Sequence, residues 1–253
     1  MKRLNLLRRS FSNISNKVVQ HDYDAIVIGA GGAGFESVKL TGNGSTSTFS
    51  LANIDSAATS VTVHGTSLLD VDAADAFPKL ANFDASGSSG GVRIAFGADT
   101  VTGSTNTKTI TGSSGKDILD IDQVAAATVG AVTLDAGAGD DTVVIGAQGG
   151  SDYTISGGEG VDILSIATNA AAATHAGVSG FEKLYVTAGA TQNMALLTQQ
   201  TNTFTHVRMD AASVTVTNAP GTVTDLQVTA NAATLASFDR LVDGSANSLN
   251  VYA

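Results

Sequence analysis

The sequence predicts an all-β protein: a right-handed parallel β-roll or β-helix solenoid with short strands and Gly/Asp turns. Three observations point there. The 253 residues include 28 Gly but only 2 Pro, no Cys, no Trp and 5% aromatics, a mixture that favours short strands with glycine turns over a helical bundle. Short β-branched or alternating runs recur at intervals of roughly 10 to 12 residues, the spacing of sandwich, barrel or solenoid strands. A glycine-and-aspartate turn appears three times, and each copy hands over to an identically phased apolar run. The third observation selects the solenoid.

The chain divides by composition. Residues 1–21 carry Lys2, Arg3, Arg8, Arg9 and Lys17 and no acid, whereas all 23 acidic residues follow. This Arg- and Ser-rich segment has the composition of a mitochondrial transit peptide and lacks the apolar core of a secretory signal. A disordered basic segment reads the same way.

Residues 22–35 contain "DYDAIVIGAGGAG", a buried-strand pattern followed by Gly29, Gly31, Gly32 and Gly34. Such a G-x-G-x-x-G turn lets a pyrophosphate approach a helix N-terminus. The stretch resembles the N-terminus of a succinate dehydrogenase flavoprotein subunit, and the resemblance implies FAD held at these four glycines in an oxidoreductase. It stops at Gly34. The fold needs a helix next, but "FESVKLTGNGSTSTFSLANID" breaks one at Gly42 and Gly44. Asp55, near the spacing of a ribose-binding acid, then has no βαβ unit to sit in. FAD is therefore not expected as a cofactor.

From residue 36 the pattern is strand after strand. Residues 36–111 read as solenoid coils through "SVKL", "FSLANI", "SVTVHG", "LLDVD", "GGVRIAF" and "TKTITG". Residues 168–253 continue with "KLYVT", "SVTVT" and "LQVT". Only 72–82, 169–177 and 192–200 suit a helical turn or two, and Pro78 limits the first.

Between them, 112–167, lies the informative segment. "GSSGKDILD" from Gly112, "AGAGDDTVV" from Ala136 and "GGEGVDILS" from Gly157 align on G-G-x-G-x-D-x-U-x, the nonapeptide of calcium-binding β-rolls. Each aspartate is followed two and four residues later by an apolar side chain: Asp117 by Leu119 and Ile121, Asp141 by Val143 and Ile145, Asp162 by Leu164 and Ile166. Alternation along a strand points each apolar pair into the roll. Glycines let the backbone aim its carbonyl oxygens, and aspartate adds a hard anionic oxygen on a short arm. Calcium takes six to eight such oxygens at about 2.3–2.6 Å, and stacked coils lie about 4.8 Å apart, so an ion fits between two turns. The candidate ligands are Gly112, Gly115, Asp117, Gly137, Gly139, Asp141, Gly157, Gly158, Gly160 and Asp162. About two Ca2+ ions are expected, one between the 112 and 136 turns and one between the 136 and 157 turns. The turns start 24 and then 21 residues apart, which places them on one edge of successive coils, with looser turns at 123–131 and 146–152 opposite. The competing reading is glycine turns with surface aspartates and no metal.

Residues 112–166 resemble RTX repeats, and "FPKLANFDASGSSGGVRIAF" and "VSGFEKLYVTAGATQNMALL" are similar to strands of bacterial RTX-type surface-layer proteins, so the resemblance covers roughly 36–253. It implies a non-enzymatic structural module that is exported through a type I channel, folds on meeting extracellular calcium and self-associates at the cell surface. The alternatives are the flavin oxidoreductase of residues 1–34 and, for location, the mitochondrion.

Other chemistry is thin. A formal charge of −10 disfavours nucleic acid and suits divalent cations. No apolar run approaches the 18 residues of a membrane span. "TGSSGKD" lacks the P-loop's second hydroxyl and first glycine, and no G-x-S-x-G elbow exists. His21, His64, His175 and His206 share no metal spacing and read as turn or surface residues. Asp70, Asp72 and Asp75 in "DVDAAD" fail the EF-hand pattern and read as a solvated turn. "FGADTVTGS" (with Asp99) and "DGSANSLNV" are degenerate copies read as structural turns.

Overall fold

A computed structural model describes residues 37–43, 46–50, 58–76, 79–98, 107–125, 130–148, 151–167, 175–188, 191–198, 201–229, 237–241 and 248–252, with backbone alone at 46–50 and 72–76. Gly29, Gly31, Gly32, Gly34, Asp55, Pro78 and Asp99 lie outside the described residues.

Every pairing between named strands is parallel, and strands alternate between two sheets. The first sheet stacks β1 (Ser37–Gly42), β3 (Ser60–Gly65), β5 (Asn82–Ser88), β7 (Lys108–Thr111), β9 (Val132–Asp135), β11 (Tyr153–Ser156) and β13 (Val178–Ser179) in that order. The second stacks β2 (Thr46–Ser50), β4 (Leu68–Ala76), β6 (Val92–Phe96), β8 (Ile118–Asp120) and β10 (Thr142–Gly146). It continues through β12 (Ile163–Ile166), β14 (Lys183–Val186), β16 (His206–Met209), β18 (Asp225–Val228) and β20 (Asn250–Tyr252). Odd strands after β13 form a separate sheet of β15 (Thr191–Asn193), β17 (Thr215–Ala219) and β19 (Ser237–Arg240). One odd and one even strand make one coil. The fold is the expected β-solenoid.

Period-2 alternation explains why the coils stack in register. In the first sheet Val61, Phe83, Ile110, Leu134, Ile155 and Val178 are successive partners. Facing them, Val71, Ile94, Leu119, Val143, Leu164, Leu184 and Val207 form the matching row. All are buried, and Phe83 meets Phe96 across the sheets edge-on at 5.3 Å. A one-residue slip would turn an entire row outward, so burial holds the register.

Three expectations change. Residues 72–76 are not helical: Leu68–Ala76 is one strand, so Asp70, Asp72 and Asp75 lie on β4 and not in a turn. Pairing with β2 carries it to Asp72 and pairing with β6 resumes at Ala76 opposite Phe96, across a register shift between Val71 and Ala76. Asp70 faces Arg93 on the next rung at 3.7 Å. His175 is buried, not a surface residue; His64 and His206 are half-buried on strands. The 192–200 segment does hold a helical turn, a 3-10 turn at Met194–Leu196 capped by the Asn193 side chain.

Candidate metal centre

From β3 to β14 each odd strand passes to the next even strand through a described turn, β13 doing so through residues 180–182, and these turns share one edge. The three nonapeptides are the turns from β7 to β8, β9 to β10 and β11 to β12, and they stack directly. The segments 123–131 and 146–152 lie between even strands and the following odd ones, and their residues 126–129 and 149–150 lie outside the described residues.

Asp117, Asp141 and Asp162 sit one residue before their strands, in phase with the inward row, and all three are fully buried. This removes the surface-aspartate reading. Their carboxylates form a ladder along the stack. Asp117 Oδ1 accepts the N–H of Val92 at 2.6 Å, Asp141 Oδ1 that of Asp117 at 2.7 Å, and Asp162 Oδ1 that of Asp141 at 2.8 Å. A fourth carboxylate continues it: Glu182 Oε2 accepts the N–H of Asp162 at 2.8 Å. Sequence reasoning passed over Glu182 because "SGFEKLYV" lacks the paired glycines. The available signal was its phase, since Glu182, Leu184 and Val186 repeat the pattern of Asp162, Leu164 and Ile166. Neutral residues flank the ladder in register, Val92 before it and Thr205 after it.

The glycines are required by how closely the turns approach. A Cβ on Gly158 would stand 2.0 Å from the Gly137 oxygen, and one on Gly160 1.9 Å from the Gly139 oxygen. Both residues also have left-handed φ, +99° and +143°, where an L side chain is strained. Gly137 and Gly139 are left-handed as well, whereas Gly112, Gly115 and Gly157 are needed for space alone. Backbone bonds lock the last two turns together, with the Glu159 N–H on the Gly137 oxygen at 2.9 Å and the Gly139 N–H on the Glu159 oxygen at 2.8 Å.

The three turns differ where a metal would matter. In the first, Ser113 occupies the second glycine position. Its N–H donates to Asp117 Oδ2 at 2.6 Å and its hydroxyl to Oδ1 at 2.7 Å, so this carboxylate is already satisfied by protein. In the second, Asp141 Oδ2 is buried with no hydrogen-bond partner, and Ala136 places a methyl at the first motif position. In the third, Asp162 Oδ2 is likewise unpartnered, and the first position is glycine, as in the first turn. A Cβ on Gly157 would stand 2.1 Å from the Gly180 oxygen and 2.9 Å from Asp162 Oδ2. The same close approach recurs at Gly112, with the Ala136 oxygen at 2.0 Å and Asp117 Oδ2 at 2.5 Å, so what sets the third turn apart is the unpartnered oxygen.

Electrostatics agree. Burial, and then the neighbouring charges of Asp117, Asp162 and Asp140, push the Asp141 carboxyl up to about 7 against the hydrogen bond from the Asp117 N–H. Asp117 and Asp162 are also raised, mainly by burial. Two like charges about 5 Å apart repel by about 3 kcal/mol at an effective dielectric near 20, so the ladder needs protons or a cation. The orphaned oxygens fit a hard cation; the Ser113-saturated first turn does not. Among the described residues no three His, Asp or Glu side chains converge on one point. Backbone carbonyls would supply most of the donors.

Comparison with known proteins found no family model, no curated protein and no solved structure that matches the chain.

Proposed function

We propose that the protein is a non-enzymatic, calcium-stabilised structural module of a secreted or cell-surface protein. The observation behind this reading is the pair of buried carboxylate oxygens, Asp141 Oδ2 and Asp162 Oδ2, that have no partner in a ladder of like charges. Asp141 and Asp162 would hold the ion, together with carbonyl oxygens of the stacked turns. The chemistry supplied is charge neutralisation: bound calcium offsets a repulsion that otherwise opposes stacking of the coils. Asp117 drops out of the expected ligand set, because Ser113 already serves both its oxygens.

Calcium is favoured over magnesium because carboxylate and carbonyl oxygens of stacked turns would offer it a flexible set of hard donors, whereas magnesium demands near-ideal octahedral geometry. Sites of this kind in extracellular modules bind at roughly 10⁻⁴–10⁻³ M, which matches calcium outside cells. Self-association at the cell surface is part of the same reading.

Ligands that converge only in the folded coil convert binding into stability. At about 10 mM Ca2+ and a dissociation constant near 10⁻⁴ M, one site adds about 2.7 kcal/mol, or some 5–10 °C in Tm for a chain of this size. Thermal unfolding followed by circular dichroism in chelator, Ca2+ and Mg2+ tests it. A rise with Ca2+ alone is expected; superimposable curves in chelator and Ca2+ exclude the proposal.

A further inference from the structure

We infer that Glu182, outside any nonapeptide, closes a calcium site between the third turn and a fourth turn, Gly180-Phe181-Glu182. This rests on the calcium reading above and extends it past the recognised repeats.

Three observations place the site. Asp162 Oδ2 is buried without a partner. It and the Gly180 carbonyl oxygen of the next coil both approach the Cα of Gly157, where a Cβ would stand 2.9 Å and 2.1 Å from them. The Glu182 carboxylate lies on the same rung: Oε2 accepts the Asp162 N–H at 2.8 Å, and its charge helps to raise the Asp162 carboxyl. Glu182 is half-buried and its Oε1 takes only a long bond, 3.4 Å, from the Thr203 hydroxyl. One of its oxygens can therefore turn to a cation while the other keeps the backbone bond.

The coil beyond does not continue the series. Asn202 Oδ1 accepts the Phe181 N–H at 3.1 Å, and its Nδ2 donates to the Val178 and Leu197 oxygens at 2.8 Å each. The residue in register with Glu182 on that coil is the neutral Thr205, so the charged ladder ends at Glu182. Donors on the third and fourth turns then comprise two carboxylates and at least one carbonyl, a hard-oxygen set of the kind calcium takes.

Glu182→Gln tests the inference, because glutamine keeps an oxygen for the Asp162 N–H and removes the charge. Glu159→Gln, an exposed acid on the same stack, is the control. Calcium titration calorimetry and melting temperatures in chelator are measured for both variants and the wild type. The expected result is a loss of one bound ion, or affinity weaker by roughly tenfold or more, for Glu182→Gln alone, with a melting temperature in chelator equal to or above that of the wild type. Unchanged stoichiometry and affinity in Glu182→Gln, with a wild type that responds to calcium, overturns the Glu182 site and leaves the calcium module standing. A melting temperature lowered equally in chelator and calcium assigns Glu182 a purely structural role and also overturns it. A wild type indifferent to calcium removes both.

Discussion

The backbone N–H of Asp141 donates to Oδ1 of Asp162 at 2.8 Å, so the third turn grips the second through one carboxylate oxygen and leaves Asp162 Oδ2 unused. The side chain that would repel its neighbours is the one that sets their spacing. A cation or a proton at the unused oxygen decides whether that grip is stabilising.

Asparagine substitutions separate the turns. Asp141→Asn and Asp162→Asn should weaken calcium binding by roughly tenfold or more, since each removes the charge on an unpartnered oxygen. Asp117→Asn should leave calcium affinity nearly unchanged but cost about 1–3 kcal/mol, because an amide cannot accept from every donor that now meets the carboxylate. Asp140 is exposed and accepts only the Val161 N–H at 3.0 Å, so Asp140→Asn should do little. Calorimetry on the four variants reads this; an Asp140 effect as large as that of Asp141 would mean that diffuse charge gathers the ions.

Ala136 and Gly157 occupy the same motif position with opposite consequences. Ala136→Gly should open the middle turn and strengthen calcium binding, at a cost in chelator of about 0.5–1 kcal/mol from added chain entropy. Gly157→Ala should abolish binding at the third turn and destabilise the protein, since its Cβ would press on the Gly180 oxygen at 2.1 Å. Denaturant unfolding with and without calcium distinguishes the two. Equal calcium responses in both variants would show that the first motif position is irrelevant to the ion.

Stability in chelator should depend on pH with a definite sign. The folded state pushes the Asp141 carboxyl up to about 7, and Asp117 and Asp162 upward as well. Their contribution is therefore complete below about pH 4, the unfolded value, and is lost as pH climbs toward 7. Asp225 works the other way: hydrogen bonds from Tyr252, Thr224 and Asn250 hold it at about 2, so its contribution fades only as pH falls toward that value. The melting temperature should thus decline from about pH 4 to pH 8 in chelator, and the gain from calcium should grow over the same interval. A chelator profile that rises from pH 5 to 8 contradicts a buried, uncompensated ladder.

Much of this architecture was legible in the residues. The i, i+2, i+4 phase of Asp117, Leu119 and Ile121 gave the inward face of β8 directly, and the paired glycines gave the turn. Two parts were not legible. Aspartate ordinarily reads as solvent-facing, so its burial followed only from carrying the strand phase back by two residues. Glu182 was hidden because its turn has a single glycine, Gly180, in place of the paired glycines of the nonapeptide. At β4 the run "LLDVD" read as strand, but its extension to Ala76 did not, because it depends on Ala76 meeting Phe96 across a register shift, which no local pattern of Asp and Ala reports.

The central claim is that Asp141 and Asp162 hold calcium between stacked turns, and the most direct measurement is calcium titration calorimetry at about pH 8 on the wild type and the Asp141→Asn/Asp162→Asn double variant. The account predicts saturable binding of about two ions by the wild type at submillimolar to millimolar calcium, and loss of that heat in a double variant that remains folded in chelator. Equal stoichiometry and affinity in the two proteins would contradict it.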